Sequence, residues 1–522
     1  MLISKSLFVE RCSYPKRARW MLNDKATYTI INQARYGDMD GAAIGQSVED
    51  LVKELFADMT MVSVDGSKVD FKDRHASYHR LTMDAIASGA AVIYQPGFLV
   101  ETLIGDQIVK LFVKCDFLVR QDDGRYRIYE VKAKNTIRKE NSNKILTDLK
   151  DDLRADVSFQ RYVVAQALRE RYDESVTIVH LNKYFIKNGP VDPWAILTMD
   201  DVSEDCLGAV ALEETIATMM HDLTLSEQIF NERYPYPGSE YLSYFAKEPE
   251  KGSIFTIPRL GNKCLPLLAQ GKTMIDQLDE DDIFSLYNTK GEESEQSRYV
   301  RARQSGEDCV AETLQPKIAD RSFPLVFYDY ETISTPIPLL EWTSPRQQVV
   351  VQYSIHVIHQ DGTNAHYEDI LQPGEQTNER IVASLTAIAE RYLQSSFVVW
   401  YQWFEKSRND EMALAFPPYA QTLRQMNTQT VDLMETVSQM HYFHRWFGGS
   451  SSIKKVLPVL TGITYDDLDV HNGAQAQDLL IKLVSGALQG MQADLISSQL
   501  LTYCKQDTRA MVRIWEELRK KL

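Results

Sequence analysis

At 522 residues the chain exceeds one ordinary hydrophobic core, so two or three domains are expected. Hydrophobic residues make up 44% and charged residues 25%, as in a folded globular protein, and no run approaches the roughly 20 apolar residues of a membrane span. The formal net charge of −16 excludes a protein that coats nucleic acid through bulk positive charge. It does not exclude an enzyme that holds metal ions with carboxylates and keeps a local basic track.

The N-terminus, MLISKSLFVERCSYPKRARW, has neither an apolar signal core nor a small-residue cleavage site. Six cysteines (Cys12, Cys115, Cys206, Cys264, Cys309, Cys504) are scattered without pairing rhythm, which suits a reducing, cytoplasmic setting. The segment 45–56, GQSVEDLVKELF, has helical spacing with Val48, Leu51, Val52 and Leu55 on one face. Segments 110–119 and 125–134 read as two strands joined by the tight turn Asp122-Asp123-Gly124. A helix over 155–170 and a strand over 175–186 follow, closing a first domain at 1–200. Residues 201–322 read as a helical connecting region with charged stretches. From Phe323 onward a buried-type strand (324–332) precedes a hairpin with a DGTN turn. A helix (378–394), a strand (396–402) and further helices follow, ending in a long helix near 493–519. The expectation is an α/β architecture in two separate domains, the second spanning 323–522.

Two places in this pattern concentrate chemistry. A hairpin centred on Asp123 puts Asp116 directly opposite Glu130, where like charges destabilise one another. Alternation sets Lys132 on the same face as Glu130. Two facing carboxylates beside a lysine suit a bound magnesium or manganese ion, with the lysine offsetting developing charge. A solvated hairpin face carrying a commonplace E-x-K pair is the plain alternative.

With Gly45–Glu49 upstream and Gln160 and Tyr162 downstream, this series resembles the PD-(D/E)XK nucleases, specifically the RecB-like branch that includes the CRISPR-adaptation nuclease. The resemblance implies Asp116, Glu130 and Lys132 as the core site, Glu49 as a supporting metal ligand, and Gln160 as a positioning group. Gln160 as the cap of a packed helix is the competing reading. That branch shows Q-x-x-x-Y, whereas Tyr162 follows Gln160 by two. Many relatives carry an iron–sulfur cluster on one early and three later cysteines. Here Cys12 stands in the first place and only Cys264 falls near the later ones, so no cluster is expected and Cys12 reads as a buried thiol.

The second concentration lies in the last domain. Asp329 and Glu331 in FYDYET share one face of an apolar strand, which is costly unless they are paired or metal-bound. Tyr503 and Asp507 in YCKQD share one helical face, and a tyrosine so placed can orient an attacking water. Their order resembles the DEDDy exonucleases, an RNase H-like group, whose first and third motifs are D-x-E and Y-x-x-x-D. The resemblance implies two metals on four carboxylates, with Glu405 of QWFE in place of the usual aspartate and Gln402 in place of asparagine. Asp410 or Asp432 could substitute for Glu405, though Asp432 reads as a capping residue.

Over nearly its full length the chain resembles an uncharacterised bacterial family that fuses these two modules, through stretches such as SKSLFVERCSYPKRARWML, GSSSIKKVLPVL and YCKQDTRAMV. Basic residues at Lys16, Arg17 and Arg19, along Lys132–Lys144, and at Lys454 and Lys455 could contact phosphate. Trp400, Trp403 and Phe404 read as core packing. The expected function is a magnesium- or manganese-dependent nuclease whose partner is nucleic acid, DNA in preference to RNA and single-stranded ends above all, acting in repair, processing or defence. The alternatives are an RNA-processing exonuclease and a nucleic-acid binding protein with decayed sites.

Overall fold

A computed structural model describes residues 1–29, 41–64, 66–141, 145–234, 252–306 and 308–522. Lys144, and residues 235–251 of the stretch where the later iron–sulfur cysteines of RecB-like proteins would fall, lie outside the described residues. The chain is mixed α/β with several mixed sheets. No described helix is long and apolar enough to cross a membrane.

In the N-terminal half, Gly124 takes a left-handed φ of 83°, and the turn closes through Gln121 N–H on the Arg125 carbonyl at 2.7 Å. That turn sets Phe117 opposite Tyr129 and Leu118 opposite Ile128, and Asp116, just ahead of the strand, accepts the Val131 N–H beside Glu130. The pair sits in a six-stranded sheet ordered Leu197–Asp201, Tyr172–Leu181, Tyr126–Lys132, Phe117–Arg120, Val92–Tyr94, Met61–Ser63. The segment expected as one strand over 110–119 is two strands, Gln107–Lys114 and Phe117–Arg120, in different sheets. The strand bends here with its partner, where Gln95 has a φ of 58° and Pro96 has no N–H to give, while Cys115 N–H still donates to Pro96 O at 3.0 Å and Gln95 N–H to Asp116 O at 2.7 Å.

Helix Asp151–Leu168 starts with Asp151 and Asp152 in its first turn, where negative charge suits the helix dipole. It buries Val157, Phe159 and Val163 against Leu7 and Phe8 of helix Lys5–Ser13, with the rings of Phe8 and Phe159 stacked 5.0 Å apart. The same core takes in Leu212, Ile216 and Met219 of helix Ala209–Thr224, so the apolar interior of this half continues past residue 200. Cys12, expected to be buried, is exposed: it lies in the last turn of its helix, beyond the covered Leu7 and Phe8.

The connecting region is largely helical and holds its own small core around Ile254, Leu267, Ile283 and Tyr299, which also takes Met440 and Phe443 from the C-terminal half. Gly449 allows this seam. A Cβ there would stand 1.9 Å from the Thr256 carbonyl oxygen.

The C-terminal sheet is ordered Asn364–Ile370, Val349–Ile358, Leu325–Ile333, Phe397–Val399, Thr430–Asp432, with the D-x-E strand in the middle. Its first three strands are antiparallel and its last two run parallel to the centre. The register slips between Glu331 and Thr332, a bulge that bends the central strand beside its acids. Helix Met491–Arg519 packs on the sheet through Leu500, Met511 and Ile514. The loop following the D-x-E strand reaches the other half. Arg346 donates to the Ala133 carbonyl at 3.2 and 2.9 Å, Asn135 donates to Pro345 O at 2.7 Å, and Lys187 pairs with Glu341. It docks next to Lys132, so one short loop ties the two acid clusters to a common frame.

Candidate functional site

The N-terminal cluster gathers at the end of the hairpin. Asp116 Oδ2 accepts the Val131 N–H at 2.7 Å. Glu130 is 1% exposed, and its Oε1 accepts from Lys132 at 2.6 Å and from Lys5 at 3.1 Å. Both lysines continue to Asp156, at 2.8 and 3.2 Å, and Gln160 Nε2 donates to the same carboxylate at 2.8 Å. Burial, then the Glu130 charge, pushes the Asp116 carboxyl up to about 8 against the pull of Lys5 and Lys132. For Asp156 burial acts upward too, but Lys132 and Lys5 outweigh it and hold it well below the usual carboxylate range. Burial lowers Lys132, and Asp156 and Glu130 more than reverse that. Glu49 stands one link away, accepting from Tyr94 O–H at 2.7 Å and from Gln95 Nε2 at 3.0 Å, while Gln95 N–H holds the Asp116 carbonyl.

Lys5 and Asp156 are part of this cluster, and sequence reasoning missed both. Asp156 precedes Gln160 by four, one helical turn, which was the available signal. Lys5 carries no local signal, since it arrives through the packing of the first helix. Gln160 is fully buried and its amide holds Asp156, so it positions an acid and does not cap a helix. Tyr162 is elsewhere, donating to Glu213 at 2.6 Å. Arg17 is buried beside Glu10, and the half-buried Arg19 donates to the Leu225 carbonyl.

The C-terminal cluster is built differently. Asp329 and Glu331 are partly open to solvent yet surrounded by protein on most sides, and one oxygen of each lies within 4.8 Å of the other and of Cys504 Sγ. Asp507 is 9% exposed and accepts from Tyr465 O–H at 2.6 Å. Glu405 is 2% exposed, on helix Gln402–Ala415, and its Oε2 is buried without a hydrogen-bond partner. Burial raises Asp329 and Glu331 well above the carboxylate range, with Asp507 adding to both. Burial, then Asp329, raises Glu405 in the same way. Burial lifts Asp507 to about 6, opposed by Tyr465 and Lys454. Among the described residues no ammonium or guanidinium pairs directly with these four acids.

Lys454 instead donates to Tyr503 O–H at 3.0 Å and to the His471 carbonyl at 2.9 Å, its ammonium 5.0 Å from the Tyr503 ring centre. Lys455 beside it is exposed. Burial, then Asp507, holds the Tyr503 hydroxyl well above its ordinary pKa, so it keeps its proton. Asp432 is the cap of the Glu405 helix, accepting from Tyr401, Gln402 and Met434 N–H at 3.1, 2.9 and 2.9 Å. Tyr401, at the turn into that helix, has a φ of 91°, a strained value for a tyrosine. Asp410 is exposed and accepts from Asn427. Trp403, expected in the core, is 70% exposed because it leads the helix on the face opposite Glu405. Tyr465 and Cys504 were missed in the sequence, although Cys504 lies inside the Y-x-x-x-D motif itself.

Residues 326–452 match a domain of unknown function (DUF2779), a stretch that holds Asp329, Glu331 and Glu405 and ends before Lys454. The chain is 30% identical over 210 residues to the uncharacterized protein MG366 homolog of Mycoplasma pneumoniae, 36% of this chain and 31% of that one. It is 25% identical over 303 residues to the uncharacterized protein UU173 of Ureaplasma parvum, 54% of this chain and 40% of that one. The chain therefore spans about a third of the length of the first relative and two fifths of the second. Among solved structures it matches the one described as "Crystal structure of SSO0001" at 12% identity and a TM-score of 0.25, over 42% of this chain and 75% of that one.

Proposed function

We propose that the chain is a divalent-metal-dependent nuclease with a site in each half, an RNase H-like exonuclease site of DEDDy type at the C-terminal end and a RecB-like PD-(D/E)XK site at the N-terminal end. The observation that carries the reading is the C-terminal acid cluster. Asp329 and Glu331 lie together, with Asp507 and Glu405 close enough to Asp329 to repel it, and among the described residues no cationic side chain pairs with these four acids. In a low-dielectric recess such an arrangement calls for divalent cations. The donor set fits them: carboxylate oxygens within 4.8 Å of one another and a buried, unpartnered Glu405 oxygen. Magnesium or manganese, when bound, supplies charge stabilisation at a phosphodiester and a more acidic water.

The protein groups do the rest. Tyr503 keeps its proton and offers an O–H to orient an attacking water, while Lys454 fixes that hydroxyl. Lys454 also places a positive charge near Glu331 and Asp507, where negative charge builds during cleavage. The helix that carries Tyr503 runs on along a cleft of about 660 Å³ where Arg509 and Arg519 stand beside the Arg513–Glu516 and Lys520–Glu517 ion pairs, so that two of its cations are left for phosphate. Exposed Trp403 offers a face on which a base can stack. These features suit a single strand as substrate, and DNA is proposed ahead of RNA as the one to test first.

One observation favours a second reading for the N-terminal half, a site retained for binding or assembly. Lys5 and Lys132 already neutralise Glu130 and Asp156 without any metal ion. Incubating end-labelled single- and double-stranded DNA and RNA with the full chain, with and without magnesium or manganese, tests the proposal. Asp116→Ala protein should still degrade single-stranded DNA if the C-terminal site works alone. Absence of metal-dependent hydrolysis in every substrate would leave the binding reading standing.

A further inference from the structure

The D-x-E and Y-x-x-x-D patterns supply only oxygen donors, yet the structure adds a sulfur. Cys504 is fully buried, and its Sγ lies 3.8 Å from Asp329 Oδ2. One oxygen each of Asp329 and Glu331 falls with that sulfur inside a 4.8 Å group, the size of a coordination sphere. Glu405 adds a buried, unpartnered oxygen near enough to Asp329 for the two to repel. The strand fixes the carboxylates and the helix fixes the thiol, so the three donors converge with little freedom to turn away.

We propose that Cys504 is a ligand of the C-terminal metal and tunes which ion that site selects, an inference that rests on the metal-site reading above. Binding would displace the thiol proton to solvent and leave a thiolate beside two carboxylates. Oxygen-only sites suit magnesium, whereas a thiolate favours softer, later divalent ions. The site should therefore hold cobalt or zinc in preference to magnesium. Cys504 is proposed here as a specificity residue and not as a group that touches the phosphodiester.

The test uses the full chain with cobalt as the probe, because a cobalt–thiolate bond gives a charge-transfer absorption in the near ultraviolet. Cobalt titrated into the wild type should produce that band. Cys504→Ser should lose the band and bind cobalt at least about tenfold more weakly, while magnesium affinity changes by less than about threefold. Cys504→Ala serves as a second variant of similar size if the serine variant melts early. A band that persists in both variants, or cobalt bound by the wild type without any band, would overturn the inference. Asp329→Asn separates the two levels of the argument. If it leaves cobalt and magnesium isotherms unchanged, the metal site itself is absent from this place and the cysteine reading falls with it.

Discussion

The two acid clusters differ in how their charge is met. In the N-terminal half Glu130 and Asp156 are held by Lys5 and Lys132 at 2.6–3.2 Å, leaving Asp116 as the acid in excess. In the C-terminal half Asp329, Glu331, Glu405 and Asp507 have no such partner among the described residues, and Lys454 is spent on Tyr503 and a carbonyl. A buried carboxylate needs either a fixed cation or an exchangeable one. The first cluster carries fixed cations and so is stable as folded. The second is under-compensated, and under the proposed function it is the place where a divalent ion would gain most on binding.

The largest expected effect follows from removing an acid of the under-compensated cluster. In an Asp116→Ala background, Asp329→Ala should cut exonuclease turnover by at least about 100-fold, as loss of a principal electrostatic group does. Its fold should survive, because one repulsion is removed. Equal turnover in the two proteins, measured on end-labelled single-stranded DNA, would erase the distinction between the halves.

Next in size is Lys132→Met, which strands Glu130 and Asp156 in the interior. Loss of one partner from a buried ion pair costs about 3–5 kcal/mol, and the lower end is expected here because Lys5 remains. Lys454→Met should cost far less stability, since no carboxylate depends on it for a direct bond. Chemical denaturation of both variants without metal makes the comparison, and similar losses would contradict it.

The pH dependence gives a third contrast. Asp116 ionises near 3.8 when unfolded and is pushed up to about 8 when folded, so the folded chain binds the extra proton between those values. Its contribution to stability is therefore full below about pH 4 and is lost as pH rises toward 8. Asp116→Asn removes that loss. The metal-free variant should match the wild type at acid pH and melt at least about 2 °C higher near pH 8.5. Asp507, raised to about 6, gives the same sign over a narrower window. A variant that melts lower at alkaline pH would mean that the Asp116 charge is stabilising.

A smaller effect is expected from Tyr503→Phe, which keeps the ring against Tyr465 and Lys454 but removes the hydroxyl. Turnover should fall roughly ten- to hundredfold with metal affinity unchanged, since an orienting group is lost and not a ligand. Isothermal titration with manganese beside the turnover assay separates the two, and a matching loss of metal binding would make Tyr503 a structural part of the site.

What could be read from the sequence was local. The turn at Asp122-Asp123-Gly124 set the hairpin register and so the facing of Asp116 and Glu130, and period-two alternation aligned Asp329 with Glu331. Helical spacing likewise placed Tyr503 with Asp507. Asp156 was missed although it stands one helical turn before Gln160, whereas Lys5 and Tyr465 were missed because tertiary packing delivers them. Lys5 reaches Glu130 across 125 residues, and Tyr465 reaches Asp507 from a loop 42 residues away. The break at Cys115–Asp116 was also hidden, because the residues on both sides have strand character and the bend originates at Gln95-Pro96 in the paired strand. Cys504 was visible but read as filler inside a motif of oxygen ligands.

The most direct test of the central claim is the anomalous scattering of manganese in crystals of the full chain soaked at saturating concentration. The account predicts a peak between the Asp329 and Glu331 carboxylates that is stronger than any beside Asp116 and Glu130. An empty C-terminal cluster at full soak, with Asp329 and Glu331 holding protons instead, would contradict it.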